Sequence, residues 1–149
     1  MSAVNIINAR RRARKLALQA LYQWHMSKTD AKEIEAQFNA INNMQKVDVD
    51  YFTRLLHGVI KELSNIDSAF TPLLDRPHQQ LNPVELSILR LSTFELLYCL
   101  EVPYRIILDE SVSLAKTFGS QDGHRYVNGV LHNLALNARK LEHDDAGKR

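Results

Sequence analysis

The residues best suited to chemistry in this 149-residue chain are cations. Arg10-Arg11-Arg12-Ala13-Arg14-Lys15 places five basic side chains in six positions. Through Thr29 there are six basic residues and no acidic one; residues 30–149 hold the other 13 basic and all 17 acidic residues, so a net charge of +2 divides into a +6 head and a −4 body. A confined cationic segment on a mildly acidic body points to a polyanionic partner, because Lys and Arg neutralise phosphates without reading sequence. A solvated helix terminus is the competing reading of the run taken alone.

A second polar cluster, Gly119-Ser120-Gln121-Asp122-Gly123-His124-Arg125-Tyr126, opens the last helical pattern. Free backbone N–H groups and the dipole at a helix start favour phosphate. Arg125 adds a charge and Tyr126 a stacking ring, the combination that single-stranded RNA sites use. Asp122 weighs against a pure phosphate site and is suited instead to capping the helix or holding Arg125; Tyr126 as an ordinary bundle residue is the plainer alternative. Tyr22 lies on the same side as Lys15 and Arg11 by i+4 and i+7 counting, which adds an aromatic to the basic face.

Other chemistries find no support. The six histidines (His25, His57, His78, His124, His132, His143) form no ligand pair at helical spacing and no motif with cysteine, so no metal site is expected. Phosphate loops, dinucleotide fingerprints and nucleophile elbows are absent, so no cofactor is expected. Asp109-Glu110 and Asp144-Asp145 are sequence neighbours, which a helix points apart. Cys99 sits in the apolar run Leu96-Leu97-Tyr98-Cys99-Leu100 and reads as a small core residue in a reducing cytoplasm. No apolar segment approaches the ~20 residues that span a bilayer, and Val4, Ile6 and Ile7 precede the arginines, the reverse of a secretory signal's order. The chain reads as a cytoplasmic non-enzyme.

The elements that must position these residues are helical throughout. Ala13, Leu16, Ala17, Ala20, Leu21 and Trp24 make one apolar stripe, with the arginines opposite and the run at the mouth of the helix. Ser27-Lys28-Thr29-Asp30 breaks it, and Ile34, Phe38 and Ile41 mark a second helix. A third runs from Asp48 to Leu63, and a short fourth passes through Ile66 and Phe70 before Pro72 and Pro77. Asn82-Pro83-Val84-Glu85 is a strong start signal, with Asn as N-cap, Pro at the first helical position and Glu able to bond back to the cap. The helix it opens is apolar nearly all round and reads as the buried centre, with Glu95 in need of a partner. Pro103 starts a sixth helix that stops at Gly119, and Ser120 reads as the cap of the seventh. The fold class is therefore all-α, a bundle of about seven helices.

In this order Arg10-Arg11-Arg12-Ala13-Arg14, Ala20-Leu21-Tyr22-Gln23-Trp24, Val102-Pro103-Tyr104-Arg105, Leu114-Ala115-Lys116-Thr117-Phe118-Gly119 and Tyr126-Val127-Asn128-Gly129-Val130-Leu131 resemble the bacterial transcription antitermination factor NusB family. The resemblance runs from about Arg10 to Ala138. It implies two packed three-helix subbundles with an extra helix, in one domain over residues 10–142. The loop marked by Pro72 and Pro77 is where a seam would fall, which sets the halves at about 10–76 and 77–142. Residues 1–9 have no counterpart in the resemblance and read as a disordered arm, and the polar run 143–149 reads as a frayed tail. The resemblance also implies binding of boxA RNA from ribosomal RNA transcripts, together with the small-subunit ribosomal protein NusE, and indirect attachment to other Nus factors and elongating RNA polymerase. Carried over by position, the RNA surface would comprise Arg10, Arg11, Arg12, Arg14, Lys15, Tyr22, Asp122, Arg125 and Tyr126. Family members often have Lys and Phe at the last two positions, so charge and ring are kept. Glu85 resembles a position facing the ribosomal-protein partner. A helical protein adaptor that makes no direct RNA contact is the alternative function.

Overall fold

The computed structural model describes residues 2–140 and 142, and among them it holds seven α-helices, three short 3-10 turns and no strand. These are α1 (Ala3–Ser27), α2 (Ala31–Ile41), α3 (Val49–Lys61), α4 (Leu63–Phe70), α5 (Pro83–Tyr98), α6 (Tyr104–Phe118) and α7 (Gly123–Ala138). No described helix is long and apolar enough to cross a membrane.

The first helix starts ten residues before the stripe that announces it. Ser2 is its N-cap, with Oγ accepting from the Asn5 N–H at 3.2 Å, and nothing between Ala3 and Arg12 breaks a helix. Residues 3–9, expected as a disordered arm, are therefore the first two turns of α1, and the arginine run lies in its interior instead of at its mouth. The helix ends at Lys28, whose φ of 61° turns the chain and whose N–H returns to the Trp24 carbonyl at 3.0 Å. The expected frayed tail, 143–149, lies outside the described residues.

Two compact units divide the chain between Lys61 and Glu62, not near residue 76 as the prolines suggest. The reason is α4. Arg90 on α5 is 7% exposed and clamps Asp67 of α4 with two bonds, Nε to Oδ1 at 3.0 Å and Nη2 to Oδ2 at 2.9 Å. A buried bidentate pair fixes register as well as contact, and it binds α4 to the helices that follow it. The prolines after α4 mark turns inside the second unit, not its border.

In the first unit α1 packs on α3 and α2. Ala13, Leu16, Ala17, Leu18, Ala20 and Leu21 face Phe52, Leu55, Leu56 and Val59 in a buried core that also holds Ile34. Trp24, expected in this core, is half-buried. In the second unit α5 is the central helix, and every residue from Glu85 to Leu96 is buried. Its start follows the sequence signal: the Asn82 side chain accepts from the backbone of Val84 at 2.8 Å and of Glu85 at 3.4 Å, with Pro83 at the first position. Its far end is closed from a distance. Arg139, 4% exposed just after α7, donates to the carbonyls of Glu95, Leu96, Cys99 and Val102 at 2.8–3.1 Å and pairs with Glu142, whose other oxygen accepts from the Tyr104 N–H at the start of α6. One guanidinium thus meets the Leu96 carbonyl in the last turn of α5 and the Val102 carbonyl beyond it, and gives a second donor to those of Glu95 and Cys99, which also accept from the backbone N–H groups of Cys99 and Val102. Cys99 is buried beside them.

Candidate nucleic-acid interface

Helical geometry sorts the arginine run. At about 100° per residue, Arg11, Lys15 and Tyr22 fall within roughly 40° of one another, and Arg12 stands about 100° from Arg11; all four are exposed, as are Gln19 and Met26 along the same stripe. Arg12 also reaches the Lys46 carbonyl at 3.4 Å. Tyr22 is 39% exposed and opens onto a shallow groove between α1 and α2, with Met26, Phe38 and Ile41 on its walls. This stripe can present charge and one ring to a strand.

The other two arginines are turned inward. Arg14 is 4% exposed, and its guanidinium lies 5.5 Å from the ring centroid of Tyr51, a buried residue of α3. Arg10 is half-buried over the same ring at 4.4 Å, and its Nε faces Asp48 at 3.5 Å, an ionic contact without a hydrogen bond. Arg54 approaches that ring at 5.8 Å. Cations over an aromatic face are held by the ring quadrupole, so Tyr51 gathers three guanidinium groups that would otherwise repel. Arg14, expected to contact RNA, is therefore a packing residue that joins α1 to α3. Leu18 and Leu21, at i+4 and i+7 from it, mark that face as apolar.

The turn before α7 is built differently. Gly123 is the first helical residue and Asp122 the N-cap position, but no side chain caps the helix and Ser120 does not serve as its cap. Ser120 Oγ donates instead to Glu85 Oε1 at 2.7 Å. A Cβ added at Gly123 would lie 1.4 Å from that same oxygen, so the glycine makes the space the carboxylate occupies. Glu85 is 8% exposed. It neither closes a capping box on Asn82 nor faces outward toward a protein partner, and it holds a negative charge against the first turn of α7, where the helix dipole favours one. The phosphate-binding role expected of this helix start is thus already taken by an internal carboxylate.

What the turn leaves outside are the Asp122 and Arg125 side chains, both exposed, and the half-buried Tyr126. The Tyr126 hydroxyl donates to Asp75 Oδ1 at 2.9 Å and accepts from the Asp75 N–H at 3.2 Å. Burial pushes its phenol pKa up. Arg76 grips Asp75 through Nε to Oδ1 at 2.6 Å and Nη2 to Oδ2 at 3.0 Å, and its guanidinium sits 5.3 Å from the Tyr126 ring centroid. Hydrogen bonds from Arg76, then from Tyr126, lower the Asp75 carboxyl to about 2. Sequence reasoning missed Asp75, Arg76 and Tyr51; none has a local signal, and each acquires its place from an element far away in the chain. Among the described residues no group of His, Cys, Asp or Glu is arranged to hold a metal ion.

Two sets of comparisons bear on this arrangement. The NusB family model matches residues 11–136. A transcription antitermination protein NusB of Legionella pneumophila (strain Corby) is 60% identical over 136 residues, which cover 91% of this chain and 92% of the relative. One of Pseudomonas fluorescens is 54% identical over 133 residues, covering 89% and 80%. A solved structure of T. maritima NusB matches with a TM-score of 0.79 at 27% identity, over 90% of this chain and 96% of that one. A solved complex of the antitermination factors NusB and NusE with double-stranded RNA gives a TM-score of 0.70 at 25% identity, over 83% and 93%. With a family match across most of its length and relatives more than half identical over about nine-tenths of it, the chain belongs to the NusB family.

Proposed function

We propose that this chain is a cytoplasmic, non-enzymatic transcription antitermination factor that binds boxA RNA of ribosomal RNA transcripts together with the ribosomal protein NusE, and through that assembly joins the elongating RNA polymerase complex with other Nus factors. The observation that carries the reading is the exposed stripe of α1, where Arg11, Arg12 and Lys15 share one side of the helix with Tyr22. Membership of a family in which a relative is solved with NusE and RNA supports it. The RNA surface comprises that stripe in the first unit and Asp122, Arg125 and Tyr126 in the second, with Arg10 at the margin of the first. Phosphate contacts from the cations position the strand, and the two tyrosine rings supply stacking.

The test is a salt series of filter-binding titrations with a boxA-like single-stranded RNA, its scrambled control and a duplex of the same sequence, with and without NusE. The complex of the relative holds double-stranded RNA, which makes the duplex arm a direct comparison of strand states. Replacing Arg11, Arg12 and Lys15 together with Ala should weaken binding to every RNA and flatten the salt dependence by about two units of slope on a single strand, at roughly 0.7 per lost phosphate contact. An unchanged slope removes α1 from the interface. Absence of any RNA shift with and without NusE, beside retained NusE binding, selects the alternative of a protein adaptor with no RNA contact.

A further inference from the structure

Tyr126 does not stand alone. Its hydroxyl is tied at both its proton and its lone pair to Asp75, and one of its faces lies under the Arg76 guanidinium. Both partners come from the loop between the 3-10 turns at Thr71–Leu73 and His78–Gln80, about 50 residues earlier in the chain. The tie fixes the ring before any ligand arrives, which cuts the rotamer entropy a stacking contact has to overcome. The Arg76 side chain is 48% exposed. Its pairing with a sequence neighbour at the surface stabilises the fold little, so packing gives no strong reason for a guanidinium to be held there. A ring with a planar cation on one face and a carboxylate at its tip is instead an organised platform. Guanidinium planes and aromatic rings are the two surfaces on which unstacked RNA bases rest, and the guanidinium also carries the charge that meets a phosphate.

We infer that Asp75, Arg76 and Tyr126 form one nucleotide subsite for RNA: the base stacks on the Tyr126–Arg76 platform, Arg76 meets the adjoining phosphate, and Asp75 is the positioning residue that holds both. The inference rests on the reading that this chain binds RNA through the turn before α7. It adds a cation from outside the arginine run and outside α7 to the RNA contacts.

The experiment uses the full chain and the same boxA-like single-stranded RNA, titrated over a salt series for the unmodified protein and for Arg76→Ala, Arg76→Lys, Asp75→Asn and Arg125→Ala, with helicity and melting recorded for each. Arg76→Ala should weaken binding several-fold and lower the salt slope by about 0.7, as expected for one phosphate contact on a single strand. Arg76→Lys should restore the slope but not the full affinity, since an ammonium keeps the charge and loses the plane. Asp75→Asn should keep the slope and lose several-fold in affinity, because it loosens ring and guanidinium without removing a cation. An Arg76→Ala protein of normal helicity that matches the unmodified chain in both affinity and slope, while Arg125→Ala falls in both, overturns the inference and leaves the RNA reading standing. A loss of affinity with no change in slope makes Arg76 a structural prop of Tyr126 and overturns its phosphate contact. If the unmodified chain shows no saturable RNA binding, the RNA reading itself falls and the subsite with it.

Discussion

The basic stripe of α1 and the turn before α7 reach the same chemistry from opposite directions. On α1 cations are abundant, but their division between exposure and packing is set by helical angle: Arg11, Arg12 and Lys15 are exposed while Arg14 is 4% exposed against Tyr51. At the α7 turn Arg125 is exposed, and everything around it is held in place, with Glu85 filling the space under Gly123 and Asp75 tying Tyr126. One region supplies charge, the other geometry. Charge is additive and forgiving of the loss of one residue, whereas a fixed ring depends on each contact that fixes it. Stability should therefore respond little to changes on the α1 stripe and strongly to changes in what supports α7.

The largest effect is expected at the far end of α7. Arg139→Ala removes the guanidinium that donates to the carbonyls of Glu95, Leu96, Cys99 and Val102. The Leu96 and Val102 carbonyls lose this donor, while those of Glu95 and Cys99 keep the backbone N–H groups of Cys99 and Val102; at roughly 2 kcal/mol for each buried acceptor left unpaired, unfolding in urea should show a loss on the order of 4 kcal/mol. Arg125→Ala, near the opposite end of the same helix, should stay within about 0.5 kcal/mol. Equal losses at the two positions would erase the distinction between arginines that hold α7 and arginines it presents.

Next comes Gly123→Ala. The new methyl cannot coexist with Glu85 Oε1, which would be 1.4 Å away, or with Ser120 Oγ at 2.8 Å. The carboxylate has to leave its buried place, and a cost of about 1–3 kcal/mol follows, as for other overpacked sites. It outweighs the roughly 1 kcal/mol by which alanine favours a helix over glycine. A melting temperature raised above that of the unmodified chain would show that Glu85 moves freely and does not hold the turn. On α1 the matching contrast is Arg14→Ala against Arg11→Ala: the first should lose about 1–2 kcal/mol with the desolvated cation–π contact to Tyr51, the second less than about 0.5 kcal/mol. RNA affinity should rank them the other way.

The same comparison explains what could be read from the chain. The all-helical fold was legible because α5 announces itself by an Asn-Pro cap and by apolar residues on every side, and α3, α6 and α7 by regular stripes. The start of α1 was hidden, since Val4, Ile6 and Ile7 are exposed and leave no periodic signal to separate a helix from an arm. Adjacency in sequence groups Arg14 with its neighbours, although Leu18 and Leu21 below it carry the information that it faces inward. On the α7 side, Arg125 and Tyr126 stand out by type and place. Their supports do not, because Glu85, Asp75 and Arg76 lie 35 or more residues earlier in the chain, and pairings at that distance arise only from packing. Local chemistry can be read from local sequence; the contacts that fix it cannot.

The smallest effect is the most specific to the fixed ring. Asp75 has its carboxyl lowered from 3.8 to about 2 by Arg76 first and Tyr126 second. A depressed carboxyl stabilises the fold only while ionised, so its contribution is present in full above about pH 4 and is lost as pH falls toward 2. In Asp75→Asn that group no longer titrates, while every other carboxylate does so in both proteins. The melting gap between the two should thus be constant above about pH 4 and close as pH approaches 2. Because Asp75 is largely exposed, the gap should be small and should shrink further with added salt. A gap that stays constant down to pH 2 would show that the Asp75 charge does not hold Tyr126, leaving the backbone N–H of Asp75 as the tie that fixes the ring.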